Sequence, residues 1–197
     1  MENIFPIFDS ILTLDDKQKL LKQRSLVIWL VGLSGSGKST LARGLENMLY
    51  KQGFLTQVLD GDNLRSGINS NLNFCDSDRV ENIRRAAEVS KLFANCGVIT
   101  ICALITPTQG IRQMARNIIG EEKYFEVYVS CPLEICESRD VKGLYKKARK
   151  GEIKDFTGID SPFEPPVEAN LVLETDRLPI SESQRILFER IINKITL

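Results

Sequence analysis

Apolar runs alternate with amphipathic stretches along this chain in a repeating order of strand, loop and helix. Leu26-Val-Ile-Trp-Leu-Val31 is continuously apolar and rich in β-branched residues, the pattern of a strand buried on both faces of a parallel sheet. A glycine-rich turn follows, and then Leu41, Leu45, Met48 and Leu49 recur at helical spacing over Ser39 to Tyr50, with Gly53 as the stop. Thr56 to Leu59, Val98 to Leu104, Glu126 to Ser130 and Leu171 to Leu173 read as four further strands. Asp78 to Ala94 reads as a helix capped by Asp78, with Val80, Ile83, Ala87 and Ala94 on its buried stripe and Arg84, Arg85, Glu88 and Lys91 facing water. A helix from about Gln109 to Ile119 and a last one opening at Ser181, with Ile186, Leu187, Ile191 and Ile192 buried, complete the alternation. The fold class is therefore α/β, a mostly parallel five-stranded sheet with helices on both faces.

Two segments stand outside this pattern. Residues 1–25 form an arm with a polar helical stretch at Asp15 to Arg24 and an apolar set, Ile4, Phe5, Ile7, Phe8, Ile11 and Leu12. Residues 140–166 are polar and rich in Lys, Gly and Pro, too long for an ordinary connection. They read as a mobile lid with a helical piece near Leu144 to Lys150, inside one domain that spans 26–197.

Composition narrows the chemistry. Lys+Arg and Asp+Glu balance at 26 each among 197 residues, so no global basic field favours nucleic acid or an anionic membrane, and an anionic ligand must be gripped locally. The longest apolar run, Leu26 to Leu33, falls far short of the ~18–20 residues that span a bilayer. Met1 to Ser10 carries acids and no basic stretch ahead of an apolar one, which leads us to expect a cytoplasmic protein. The chain has no histidine, and its five cysteines form no C-x-x-C pair. Imidazole catalysis and a zinc site are thereby disfavoured, and the cysteines are expected to be reduced and mostly buried.

Gly32-Leu33-Ser34-Gly35-Ser36-Gly37-Lys38-Ser39 matches G-x-x-x-x-G-K-[ST] between a buried strand and a helix. Glycines let successive N–H groups turn inward as an anion nest, the helix start adds positive potential, and Lys38 brings a full charge to the β- and γ-phosphates. Ser39 is the expected Mg²⁺ ligand, with Thr40 beside it. Such a loop fixes ATP-type triphosphate binding, not what is done with it. The absence of an N-K-x-D guanine motif and the presence of a lid favour a small-molecule kinase over a GTPase or motor.

Asp60-Gly-Asp-Asn-Leu-Arg65 ends the second strand with two carboxylates, where a parallel sheet presents its ligand-facing loops. Transfer to an alcohol needs a group that accepts the hydroxyl proton and a metal held by acid or water. Asp62 is assigned the first role and Asp60 the second. Arg65 follows Asp62 by three residues, and Arg79 and Asn82 share that spacing, so each pair can face one ligand. Phe74 and Phe156 are aromatics in polar surroundings that can stack on a flat base.

Together these segments resemble the adenylyl-sulfate kinase family: Ile28-Trp29-Leu30 leading into Gly32 to Thr40, Asp60 to Arg65, Asp78-Arg-Val-Glu-Asn-Ile-Arg-Arg85, Lys142-Gly-Leu-Tyr-Lys-Lys-Ala-Arg149 and Phe156-Thr-Gly-Ile-Asp160. The resemblance covers about Leu26 to Asp176 and implies a P-loop NTPase fold. It implies transfer of phosphate from ATP to the ribose 3′-hydroxyl of adenylyl sulfate, with Mg²⁺, as part of sulfate activation. It places Arg65, Arg79 and Asn82 on the phosphosulfate, Phe74 and Phe156 on either side of the acceptor adenine, Arg139 near the adenine of ATP, and Lys142 and Leu144 in the closing lid. It also implies acceptor contacts at Ile105 and Thr106, a homodimer, and dependence on a separate ATP sulfurylase. Ser66, Asn73 and Cys75 depart from the family pattern. Thr106 stands where the family has a serine proposed as a phosphorylated intermediate; it is thus a candidate phospho-acceptor, although direct in-line transfer is the favoured expectation. Two other readings stay open: another small-molecule P-loop kinase, or a nucleotide-binding regulator without catalysis.

Overall fold

The computed structural model describes residues 3–7 and 10–197; Phe8, one of the apolar residues of the arm, lies outside them. Five strands, β1 (Val27–Val31), β2 (Thr56–Asp60), β3 (Ile99–Ala103), β4 (Tyr124–Ser130) and β5 (Leu171–Glu174), form one sheet in the order β2-β3-β1-β4-β5. Every pairing is parallel. β1, the innermost, is buried at all five positions. Its side chains still alternate: Ile28 and Leu30 join one core with Leu41, Leu45, Leu187 and Ile191, while Val27, Trp29 and Val31 join another with Ile83, Ala87 and Ala115. A continuous apolar run thus serves two cores at once, as a central parallel strand must.

The first core is roofed by α2 (Lys38–Lys51) and α8 (Ile180–Ile195), the second by α4 (Asp76–Asn95) and α5 (Gln109–Ile119). Burial of Leu41, Leu45 and Leu49 at helical spacing holds α2 to the sheet; truncating Leu45 to Ala would cost ~2–5 kcal/mol. The short α1 (Leu14–Leu21) starts with a capping box between Thr13 and Asp16. It is tied down by Lys17 Nζ donating to Asn95 O at 3.3 Å and Ser25 N donating to Gln18 Oε1 at 2.9 Å. Ahead of it, Ile4, Phe5, Ile7, Ile11 and Leu12 are exposed.

Three expectations need correction. The helix expected from Asp78 begins two residues earlier, at Asp76, with Cys75 in the cap position; the Asp78 carboxylate instead accepts the Asn73 N–H at 2.7 Å. Val80, expected on its buried stripe, is 39% exposed. Arg85 does not simply face water: it donates to Glu81, to Ile68 O and to Asn71 Oδ1, binding the preceding loop to the helix. The helical spacing of Asp62 and Arg65 falls in a short helix, α3 (Gly61–Arg65), and a second short helix, α6 (Leu133–Arg139), was not foreseen. Among the described residues no helix is long and apolar enough to cross a membrane. All five cysteines are free, but only Cys102, Cys131 and Cys136 are buried; Cys75 and Cys96 are exposed.

Residues 140–166, the expected lid, carry α7 (Leu144–Arg149). Asp140 accepts the Tyr145 and Lys146 N–H groups, each at 3.0 Å, and so caps it. Tyr145 is almost fully buried against Leu33, Cys131 and Cys136, and its hydroxyl donates to Ser34 O at 2.9 Å. The lid therefore has a small core of its own, seated directly on the glycine-rich turn.

Candidate active site

A cavity of about 840 Å³ opens at the carboxyl ends of the strands, between the glycine-rich turn, α3, α4 and the lid. One end is built from backbone. The turn from Gly32 to Gly37 leaves β1 and enters α2 with Gly37 at φ +103°, where a side chain would be strained. At Gly32 the limit is space, since a Cβ would come within 2.6 Å of Val129 O. Ser34, Gly35, Gly37, Lys38, Ser39 and Thr40 line the cavity, whereas Gly32, Leu33 and Ser36 form the turn beneath it. Lys38 Nζ donates to Gly32 O at 2.8 Å and to Leu33 O at 2.6 Å. Burial, reinforced by nearby Lys142, pulls its ammonium down to about 8, against opposition from Cys136, Asp60 and Asp62. Thr175, at the end of β5, donates through Oγ1 to Ser36 O at 2.8 Å and closes the turn from behind.

Ser39 Oγ donates to Asp60 Oδ2 at 2.6 Å. The other oxygen of Asp60 accepts the Asp62 N–H at 3.0 Å, so Asp60 is also the N-cap of α3. This pairing of a hydroxyl with a carboxylate fits Mg²⁺, which takes few protein oxygens and completes its shell with water and phosphate.

The opposite end is built from side chains. Asp62 projects from α3 and is paired with Lys142 of the lid. Arg65, one turn on, donates to Leu72 O at 3.1 Å and Asn73 O at 2.9 Å, and its guanidinium lies 4.2 Å from the centre of the Phe74 ring. One face of Phe74 is thereby covered, while the residue as a whole stays 59% exposed. Phe156 meets Tyr145 edge-on at 5.0 Å. Arg79 donates to Phe74 O at 2.7 Å and to the lid at Thr157 and Asp155, so the guanidinium expected to meet an anion also ties α4 to the lid. Asn82 is buried beside it. Arg139 reaches Thr175 O at 2.7 Å and Gly35 O at 3.3 Å.

Ile105 and Thr106 line the cavity floor. Thr106 is fully buried, has φ +48°, and its hydroxyl accepts the Trp29 indole N–H at 3.0 Å. Arg112 donates to Thr106 O at 3.2 Å. A β-branched residue in the left-handed region is strained, and these two bonds hold it there. Asp62, Arg65, Phe74, Arg79, Asn82, Ile105, Thr106, Arg139, Lys142, Leu144 and Phe156 all face the one cavity. Sequence reasoning missed Tyr145, Asp140 and Thr175; of these only Thr175 carried a usable signal, its place at a strand's carboxyl end. The wall carries Lys38, Arg65, Arg79, Arg139, Lys142 and Lys154 against Asp60, Asp62, Asp140, Glu152 and Asp155. With the signs so nearly balanced, an anion is held by placement rather than by net field.

The profile of the family described as Adenylylsulphate kinase matches residues 24–174. An adenylyl-sulfate kinase of Bacteroides thetaiotaomicron is 59% identical over 193 residues, which are 98% of this chain and 96% of that protein. The Mycobacterium tuberculosis APS kinase solved in complex with AMPPNP and APS superposes with a TM-score of 0.82 at 44% identity, over 86% of this chain and 98% of the other. A gluconokinase from Sinorhizobium meliloti, at 14% identity and a TM-score of 0.55 over 86% of this chain and 92% of its own, shares the fold alone. A glycine-rich turn, a carboxylate pair and a docked lid in one cavity accompany these likenesses, and the chain belongs to the adenylylsulphate kinase family.

Proposed function

We propose that this protein transfers the γ-phosphoryl group of ATP to the ribose 3′-hydroxyl of adenylyl sulfate, giving ADP and 3′-phosphoadenylyl sulfate. The bond from phosphorus to the β,γ-bridging oxygen breaks, a bond to the 3′-oxygen forms, and the hydroxyl proton passes to Asp62. The observation that carries this reading is the convergence, in one cavity, of Lys38 in its glycine-rich turn with Asp62 on α3, flanked by Arg65 and Arg79. With no histidine in the chain, a carboxylate at that place is the natural proton acceptor.

Lys38 neutralises charge gathering on the β- and γ-phosphates, and Arg139 sits on the side of the cavity suited to the ATP base. Ser39 and Asp60 would hold Mg²⁺, which supplies charge neutralisation across the phosphates. Asn82, Arg65 and Arg79 orient the phosphosulfate, the open face of Phe74 and the ring of Phe156 take the acceptor adenine, and Ile105 and Thr106 line its pocket. Lys142 holds the Asp62 carboxylate toward the cavity, and Leu144 and the rest of the lid keep water from the γ-phosphoryl group. Transfer is direct: Thr106 is fully buried, with its hydroxyl oxygen accepting from Trp29. We also infer a homodimer joined through the exposed arm residues Ile4, Phe5, Ile7, Ile11 and Leu12, which sedimentation would reveal as twice the chain mass, and a supply of adenylyl sulfate from a separate ATP sulfurylase in the cytoplasm.

The test is ADP release from Mg·ATP with adenylyl sulfate, AMP or gluconate as acceptor. Turnover with adenylyl sulfate alone is expected. Turnover with another acceptor instead would keep a kinase and discard this substrate; nucleotide binding without turnover on any of them would favour a regulator.

A further inference from the structure

Two helices wall the acceptor end of the cavity, α3 and α4, and a single fully buried side chain in the loop between them, Asn69, joins the two. Its backbone is fixed on the α3 side: the Asn69 N–H donates to Leu64 O at 2.8 Å, and its carbonyl accepts from Leu72 N at 3.0 Å. Its side chain points to α4, where Nδ2 lies 3.0 Å from Asn82 Oδ1 and 3.4 Å from the Asn82 backbone carbonyl oxygen.

That second contact fixes the orientation of both amides. A backbone carbonyl only accepts, so the edge of Asn69 facing it must be its NH₂. Turning Asn69 over would set its oxygen against two acceptors, and the amide stays as it is although Asn69 Oδ1 is itself buried without a partner. An NH₂ facing the side chain of Asn82 in turn demands the oxygen of that amide. Asn82 Oδ1 is therefore consumed inside the protein, and its NH₂ forms the other edge. Asn82 is 6% exposed and lines the cavity, and among the described residues that NH₂ donates to nothing in the chain.

We propose that Asn69 is a positioning residue which locks the Asn82 amide with its donor edge toward the acceptor, so that it meets an anionic oxygen of adenylyl sulfate. This rests on the reading above that Asn82 contacts the acceptor. An unlocked asparagine presents oxygen or NH₂ almost indifferently, and oxygen turned toward a phosphosulfate repels it. Asn69→Asp inverts the lock, because a carboxylate only accepts and draws the Asn82 NH₂ inward.

The experiment compares kcat and the two KM values, for adenylyl sulfate and for ATP, with Tm, in Asn82→Ala, Asn69→Asp, Asn69→Ala and the Asn69→Asp/Asn82→Ala double variant. We expect Asn82→Ala and Asn69→Asp each to raise the acceptor KM by about tenfold with the ATP KM unmoved, as for loss of a hydrogen bond to a charged group. The double variant should be no worse than Asn82→Ala alone. An acceptor KM raised by Asn82→Ala but left alone by Asn69→Asp would overturn the inference, as would both KM values rising together in step with a fall in Tm. If Asn69→Asp does not fold, Asn69→Ala decides by the same criterion. An acceptor KM indifferent to Asn82→Ala would instead overturn the reading of Asn82 on which the inference stands.

Discussion

The two ends of the cavity, proposed as a phosphate end and an acceptor end, meet the same task, holding an anion, by different means. At the phosphate end the groups belong to one contiguous turn, and its lysine is held by carbonyls five and six residues away in sequence. At the acceptor end the groups are side chains from α3, α4 and the lid, and the Lys142–Asp62 and Arg79–Asp155 contacts span 80 and 76 residues. The first is one local turn, braced from behind by Thr175, Tyr145 and Arg139; the second is assembled from separate elements. A group every triphosphate presents can be met by a local, general device, whereas selecting one acceptor draws on parts brought together by the whole fold.

The largest effects should separate the ends most cleanly. Asp62→Asn removes the proposed proton acceptor and should lower kcat by ~10²–10⁴-fold while nucleotide affinity, measured by titration, stays in the same range. A variant that transfers nearly as well would mean that the acceptor brings no proton to be removed, as with a phosphate acceptor. Lys38→Ala should lower kcat by ~10²–10³-fold and also weaken nucleotide binding, so the two variants together would sort catalysis from binding at opposite ends. Phe74→Ala should weaken acceptor binding by ~1–3 kcal/mol and leave Tm nearly unchanged because the ring is largely exposed. A drop in Tm with unchanged affinity would give the ring to the fold instead.

The pH dependence belongs to the phosphate end. Lys38 sits at about 8 in the folded chain against 10.5 for the ordinary side chain. Below pH 8 it is charged whether folded or not, and the cost of burying the charge is fully felt. Between 8 and 10.5 the folded chain gives up a proton the unfolded chain keeps, so this group's contribution to stability rises with pH through that window. A bound triphosphate favours the charged form, so binding near pH 8–9 should take up a proton and weaken as pH rises. Calorimetry in buffers of different ionisation enthalpy would read that uptake. The smallest effect on chemistry should come from Thr106→Val, which removes the Trp29 acceptor and costs ~1–3 kcal/mol of stability, seen as a lower Tm, while transfer continues.

The same contrast explains what could be read from the sequence. The glycine-rich turn, the order of the five strands along the chain and the helix over Gln109–Ile119 follow from local pattern, and the structure carries them. Asp62, Arg65, Arg79 and Asn82 were found through spacing on short stretches and do meet in one cavity. Other features left no readable trace in the local pattern. At seven residues, α6 is too short to show a period. Tyr145 gives no sign in sequence that its hydroxyl will reach Ser34, nor Trp29 that its indole will hold Thr106. Asp78 had the right chemistry for a cap, but its carboxylate was claimed by Asn73 once the loop folded back.

The reaction itself is tested most directly by single turnover of the full chain with Mg·ATP labelled at the γ-phosphate and adenylyl sulfate, following the label and its position. The account predicts that label leaves ATP and appears only on the 3′-oxygen of adenylyl sulfate, one ADP for each product, with the protein unlabelled throughout. Label on the protein before the product, on another oxygen of the acceptor, or in free phosphate alone would contradict it.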